Sequence, residues 1–329
     1  MWSQAERVKF RMQGGLIPAV PVPRYANGKL HKEAQTAYAA YLTAQRIAGV
    51  AVWVHTGRGL QLQREQRRLI LQSWKAALQP EQIIVAGVGA VPEVSLPVRE
   101  RIGRWRKDSI GMAEEAIGGG ADALLVFPPL ILRELPVPEQ GKAIVRYHTD
   151  LAELGVPIVI FYLYEEAGGW SYDLDLLREL LLLPHVIGVK IATLDSVMTM
   201  QAIARLLTEE FPNHLHITGE DRMFGYALMR GAHSALVGLG AAFPNIQADL
   251  ITAYQNKNYA RFMDLSERID GFAEATFTLP MDKYILRMLH CLAAANVIPG
   301  EAANDIAEYE MTEQEIAAIR RAIMEHRLY

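Results

Sequence analysis

The 329-residue chain has one cysteine, Cys291, so an intramolecular disulfide is excluded. It lies in the apolar run Met288-Leu289-His290-Cys291-Leu292, the setting of a buried structural thiol rather than a nucleophile. No stretch approaches the roughly 18 consecutive apolar residues of a membrane span. The segment from Met1 to Arg11 mixes polar, charged and apolar residues and lacks the apolar centre of a signal peptide. A cytoplasmic protein without membrane contact is expected. An excess of positive charge is also missing: 33 Lys and Arg stand against 37 Asp and Glu, a net charge of -4. With no broad electropositive field, nucleic acid is not expected as a partner. Arg64, Arg67 and Arg68, like Arg101, Arg104 and Arg106, are interspersed with apolar residues at helical spacing and read as solvated helix faces. No G-x-G-x-x-G follows the first strand-like run, and Gly118-Gly119-Gly120 closes a helical segment, as a C-cap does. Metal-ligand spacing is equally sparse. His214-x-His216 stands alone, and His148, His233 and His290 have no spacing partner, so no metal is expected.

What the chain does have is alternation. With 51% hydrophobic residues it can bury a large core. Short apolar, β-branched runs bounded by Gly and Pro predict strands at Leu16–Val22, Val50–His55, Ile83–Val88, Ala123–Phe127, Pro157–Tyr162, Val186–Ile191, Leu215–Thr218 and Ala235–Leu239. Helical periodicity predicts Gln63–Leu78, Val98–Ile117, Asp173–Leu183 and Ser196–Phe211 between them. Repeated right-handed crossovers of this kind wind a parallel sheet into a closed α/β barrel of the TIM (β/α)8 type, with an open doubly wound sheet as the runner-up. After Pro244 the strand signal stops. Ile246–Gln255, Tyr259–Ala273, Met281–Ala295 and Glu313–Arg327 read as helices, the last opened by the capping box Thr312-Glu313-Gln314-Glu315. The expected organisation is a barrel over residues 1–245 with a helical C-terminal extension over 246–329 docked on it. No low-complexity linker separates them.

Chemistry in such a barrel gathers where strands end and βα loops begin. The sixth strand runs through Gly188-Val189-Lys190-Ile191. An ammonium there is costly to bury, so its pKa falls and a neutral, nucleophilic amine comes within reach. Taken alone, Lys190 reads equally as half of a structural ion pair. The fifth strand ends in Tyr162, on a neighbouring strand at the same end, and its hydroxyl is placed to shuttle protons, although a lone strand tyrosine is usually core. The second strand closes in His55-Thr56-Gly57-Arg58-Gly59, a glycine-bearing turn whose amides and Thr56 hydroxyl suit a carboxylate, or else a plain βα turn. Asp221, at the mouth of the seventh strand, is expected to cap the following helix.

In order, these segments resemble the dihydrodipicolinate synthase/N-acetylneuraminate lyase family of class I aldolases. Gly15-Leu16-Ile17-Pro18-Ala19 is similar to its opening strand, and His55-Thr56-Gly57-Arg58 stands where its G-[TS]-T-G-E loop belongs. Ala121-Asp122-Ala123 through Pro128-Pro129 resembles its fourth strand, and Gly188-Val189-Lys190 its G-[IV]-K motif. Tyr162 matches the family tyrosine at a separation of 28 residues from Lys190. Gly219-Glu220-Asp221 and the Gly231–Pro244 stretch resemble the regions of strands seven and eight, and Lys283 and Met311–Glu315 also fit. The resemblance implies an imine between Lys190 and a 2-oxo acid such as pyruvate, proton relay by Tyr162, and substrate contacts at His55, Thr56, Gly57, Arg58 and Gly219. It implies no cofactor, a possible aldehyde as second substrate, and a homo-oligomer, a dimer or a tetramer built from dimers.

The departures shift the expected substrate. His55 and Arg58 replace the loop's first hydroxyl and its glutamate, and Pro129-Leu130-Ile131 replaces the family's tyrosines after strand four. Leu163–Ala167 reads Leu-Tyr-Glu-Glu-Ala in place of Asn-x-Pro-x-Arg. Glu165 and Glu166 there repel a dicarboxylate and suit a neutral or polyhydroxylated partner, which argues against lysine biosynthesis. The expected reaction is formation or cleavage of a C–C bond. A dehydratase using the same imine is the near variant, and a non-catalytic carboxylate-binding relative the distant one. A phosphate-handling barrel is disfavoured, because no glycine-rich turn followed at once by a helix appears after strands seven and eight.

Overall fold

A computed structural model describes residues 2–328; Met1 and Tyr329, at the ends of the segments read above, lie outside them. Strands β1 (Leu16–Pro18), β2 (Gly49–Val52), β3 (Ile83–Val88), β4 (Ala123–Val126), β5 (Ile158–Leu163), β6 (Val186–Ala192), β7 (Leu215–Thr218) and β8 (Ser234–Val237) alternate with helices. These are α1 (Gln4–Met12), α2 (Lys32–Thr43), α3 (Arg64–Ala77), α4 (Val98–Gly118), α5 (Val137–Ala152), α6 (Leu174–Leu181), α7 (Val197–Glu210), α8 (Phe224–Met229), α9 (Pro244–Gln255), α10 (Tyr259–Thr276), α11 (Tyr284–Ala294) and α12 (Glu313–Glu325).

The eight strands are parallel, in the order β1-β8-β7-β6-β5-β4-β3-β2. The ring closes through a parallel bridge between Ala19 and Ala51, where the Val20 amide donates to the Ala51 carbonyl at 3.1 Å. The molecule is therefore a TIM barrel with C-terminal helices, as the alternation predicts. Strand side chains divide by face. Ile17, Ala51, Val85, Leu125, Val159, Ile217 and Leu236 fill the barrel interior. Val50, Ile84, Leu124, Ile160, Val189 and Val237 pack outward under the helices. Burial on both faces is why the strands read as unbroken apolar runs.

Local signals set the helix ends. Asp173 accepts from the Leu176 amide at 2.7 Å to start α6, and Thr312 with Glu315 forms the capping box of α12. Gly119 caps α4, and Gly120 at φ 91° turns the chain away, so the glycine run is the C-cap expected of it. Helix α12 buries Ile319, Ala322 and Ile323 and packs on α10 and α11. Helix α1, with its own capping box at Ser3 and Glu6, has no counterpart among the helices that periodicity predicts, nor do α2, α5 and α8.

Charge ties the C-terminal region to the barrel and its segments to one another. The Arg58 guanidinium donates to Asp305 (Nε at 3.0 Å to Oδ2) and to Asp282 (Nη1 at 2.7 Å to Oδ2). Lys283 meets Glu315 at 2.7 Å, and its ammonium with the Thr312 cap holds the Glu315 carboxyl down at about 2 against the effect of burial. Cys291 is fully buried, and burial pushes its thiol well above the ordinary range, as suits an inert core residue.

Candidate active site

The C-terminal ends of β5, β6, β7 and β8 converge on a small chamber of about 50 Å³. This is room for a handful of heavy atoms. Its walls include Lys190, Phe161, Glu220, Asp221, Tyr164 and Tyr284. A wider vestibule of about 440 Å³ lies outside it, bordered by Glu166, Asp195, Leu279 and Asp282. His55, Tyr164, Leu194 and Met281 line both spaces and form the neck between them.

Lys190 stands at position five of β6, in register with Phe161 on β5 and Ile217 on β7, residues of the barrel interior. The amine is buried, and Nζ lies 4.1 Å from the centre of the Phe161 ring. Burial is the largest influence on it and lowers its pKa to about 8, opposed by the charges of Asp221 and Glu220. Neither carboxylate is among its hydrogen-bond partners: Glu220 accepts from the Thr193 amide at 2.5 Å and hydroxyl at 2.7 Å, and Asp221 from the Leu239 amide at 2.7 Å. Burial raises both carboxyls to about 7, against those hydrogen bonds and the neighbouring Lys190. The structural-ion-pair reading of Lys190 thus finds no contact to support it among the described residues. Asp221 faces the chamber instead of capping α8, whose N-cap position is Met223.

Gly219 gives the lysine its space. A Cβ there would sit 2.6 Å from Lys190 Cε and 3.0 Å from the Ile191 carbonyl oxygen. We expect Gly219→Ala to swing the amine out of line and to slow its reaction with a ketone by about 10²-fold, the cost of displacing a reacting group by about 1 Å. Circular dichroism should show the fold retained. An unaltered rate would mean that Lys190 does not react along the path past Gly219.

The second strand supplies His55, Thr56 and Gly57 in a single 3-10 turn, with Arg58 closing it in the left-handed region at φ 52°. The Gly57 and Arg58 amides donate within the turn, to the Val54 and His55 carbonyls at 3.0 Å each. A turn of this type leaves its first amides without internal acceptors, so it can present those of His55 and Thr56, with the Thr56 hydroxyl. That hydroxyl lies 2.7 Å from the Tyr284 phenol, which is also 3.2 Å from His55 Nδ1. On its far side, His55 Nε2 is 3.4 Å from Asp282 Oδ1. Burial depresses His55 to about 4, with Asp282 opposing, so the ring is neutral near pH 7.

Four residues singled out in the sequence, Gly57, Tyr162, Arg58 and Glu165, do not line the chamber. Tyr162 lies on the opposite face of β5, in the outer core, edge-on to Tyr172 at 6.2 Å. Its neighbour Phe161 points at Lys190 instead. The register of β5 on β6 shifts between Ile158 and Val159, which changes the phase that counting residues assumes. Arg58 is engaged with Asp282 and Asp305, a role in holding the loop rather than in meeting substrate. Glu165 turns aside to pair with Arg133 at 3.1 Å, leaving Glu166 to line the vestibule. Conversely, Tyr284, Phe277 and Met281 reach the chamber from the C-terminal region. No short-range pattern marks Tyr284, whose partner Thr56 stands 228 residues earlier in the chain.

No group of three or more His, Cys, Asp or Glu able to hold a metal occurs among the described residues. No helix there is long and apolar enough to cross a membrane.

Residues 12–298 match the model of the dihydrodipicolinate synthetase family. A probable 4-hydroxy-2-oxoglutarate aldolase, mitochondrial, of Emericella nidulans is 24% identical over 246 residues, 73% of this chain and 74% of that protein. The N-acetylneuraminate lyase of Mediterraneibacter gnavus is 24% identical over 238 residues, 72% of this chain and 68% of that protein. Among solved structures, YagE of E. coli K12, a prophage protein of the same family in complex with pyruvate, superposes with a TM-score of 0.78 at 18% identity, covering 96% of this chain and 99% of that one. At that identity the superposition speaks for the fold.

Proposed function

Because the chain belongs to the dihydrodipicolinate synthetase family, and so to the aldolase-type carbon–carbon lyases, we propose that it cleaves or forms a C–C bond next to a small 2-oxo acid held as an imine on Lys190. One observation carries this reading: a buried amine without a bonded carboxylate, its pKa lowered by burial, opening on a small chamber at the mouth of the barrel. The neutral amine adds to the ketone, and loss of water gives a protonated imine. That cation draws the electron pair of the breaking bond, releasing an aldehyde and leaving an enamine. Protonation of the enamine and hydrolysis then return the lysine and the 2-oxo acid. The imine's positive charge faces Glu220 and Asp221, which favour it over neutral states. The chamber takes the 2-oxo acid, whose carboxylate meets Thr56 and the first amides of its turn.

The rest of the substrate occupies the vestibule. Glu166, Asp195 and Asp282 border it, no Lys or Arg does among the described residues, and His55 is neutral. An anionic tail is disfavoured there and a neutral, hydroxyl-bearing one accepted. Release of 2-oxo acid from a series of 4-hydroxy-2-oxo acids tests this. A neutral tail should exceed an anionic tail of equal length by at least about tenfold in kcat/KM, which is about 1.4 kcal/mol. Equal rates would refute the assignment of the vestibule, and no release from any member would refute the lyase reading for this substrate class.

A further inference from the structure

We propose that the proton-transferring group of this site is Tyr284, carried on α11 of the same chain and positioned by His55 and Asp282. The inference rests on the imine chemistry proposed for Lys190, which requires an acid to expel water and a base to take the proton of the breaking alcohol.

The barrel interior does not supply that group from β5. Phe161, which has no hydroxyl, occupies the position in register with Lys190, and Tyr162 faces the outer helices. Among the described residues two tyrosines line the chamber, Tyr164 and Tyr284. Only Tyr284 belongs to a chain of polar contacts: its phenol meets Thr56 Oγ1 at 2.7 Å and His55 Nδ1 at 3.2 Å. The carboxylate of Asp282 beside Nε2 favours the proton on that nitrogen, which leaves Nδ1 as an acceptor for the phenol. Asp282 is itself held by Arg58. The order carboxylate, imidazole, hydroxyl is the arrangement by which a histidine directs a weakly acidic O–H, oriented by a third group.

The packing leaves room for this ring and holds it in one orientation. Tyr284 stacks on Phe277 at 4.5 Å between centroids and lies near parallel to His55 at 6.0 Å. A Cβ at Gly238 would come within 2.8 Å of Tyr284 Cε2, so the absence of a side chain there admits the ring. Burial holds the phenol well above its ordinary range, so it rests as the neutral acid.

The protons balance as follows. The Tyr284 hydroxyl protonates the carbinolamine oxygen, which leaves as water, giving the protonated imine and a phenolate held by Thr56. The phenolate takes the proton from the alcohol of the bond being cleaved, so the aldehyde leaves, the enamine forms and the phenol is restored. His55 and Asp282 act through Tyr284 as positioning residues.

The test is Tyr284→Phe, which keeps the stacked ring and removes the hydroxyl. With pyruvate and borohydride, the variant should reach the wild-type end point of adduct on Lys190, showing an intact chamber, while forming it more slowly. Its kcat should fall by about 10²–10⁴-fold with KM little changed. Incorporating 3-fluorotyrosine, a stronger acid, at position 284 should move the alkaline limb of kcat to lower pH, which a purely structural ring would not do. Turnover near wild type in Tyr284→Phe, a loss confined to KM, or an unmoved alkaline limb would overturn the proposal while leaving the imine reading intact. Failure of the wild type to form any adduct would overturn both.

Discussion

Replacing Lys190 by Met should abolish the borohydride-trapped adduct and lower turnover by at least about 10⁴-fold, the loss typical of removing a covalent nucleophile. Methionine keeps the length and apolar stem, so it fits beside Phe161 without the charge. The fold should therefore survive, and unfolding in urea should show a stability no lower than wild type, since a buried ammonium without a bonded counter-ion is itself costly. The same amine fixes the pH dependence. With a pKa lowered to about 8 by burial, the neutral fraction grows with pH and levels off just above that value. At pH 7 about one lysine in ten is then reactive, against fewer than about one in a thousand at the ordinary value. Adduct formation that kept rising to about pH 10 would show an ordinary lysine and remove the argument from burial.

Arg58→Met should be the most destabilising single change at the mouth of the barrel. The guanidinium is buried with Asp305 and bonded to both Asp305 and Asp282, whereas Asp282 is partly open to solvent. Removing it strands a buried carboxylate, and breaking a buried pair from one side costs about 3–5 kcal/mol. For a chain of this size that corresponds to a fall in Tm of roughly 4–7 °C. Arg58→Lys should recover only part of it, because an ammonium cannot serve two carboxylates with a planar fork. Activity should fall as well, since Asp282 and the neighbouring His55 lose their fixed positions. Calorimetry decides the matter, and a Tm within about 2 °C of wild type would show that the network contributes little.

The barrel was legible because parallel strands buried on both faces leave a sequence trace that needs no knowledge of their neighbours. β3 and β7 run over the residues predicted, and the other strands differ at their ends. At β2 and β8 the apolar run continues into a turn, Trp53 taking a left-handed φ of 58° and Leu239 entering a 3-10 turn. Helix α5 went unread because Pro138 and Gly141 interrupt its pattern, although proline is tolerated in a first helical turn. Lys190 could be singled out because a charge near the end of an apolar strand is costly enough to need a reason. Tyr162 shows the limit of counting. An interval along the chain does not report the face of a sheet, and one register shift at Ile158 exchanges Tyr162 for Phe161 opposite the lysine. The residues from the C-terminal helices were out of reach for another reason. Tyr284 and Asp282 acquire their partners, Thr56, His55 and Arg58, only when the segment before and into α11 meets the loop after β2.

The central claim is that the Lys190 amine condenses with a ketone. Incubation with pyruvate, and separately with longer 2-oxo acids, followed by borohydride reduction and mass spectrometry of the digested protein tests it most directly. The expected result is a single modified peptide, the one containing Lys190, with none in Lys190→Met. Recovery of that peptide unmodified with every acid, or modification of some other lysine in its place, would contradict it.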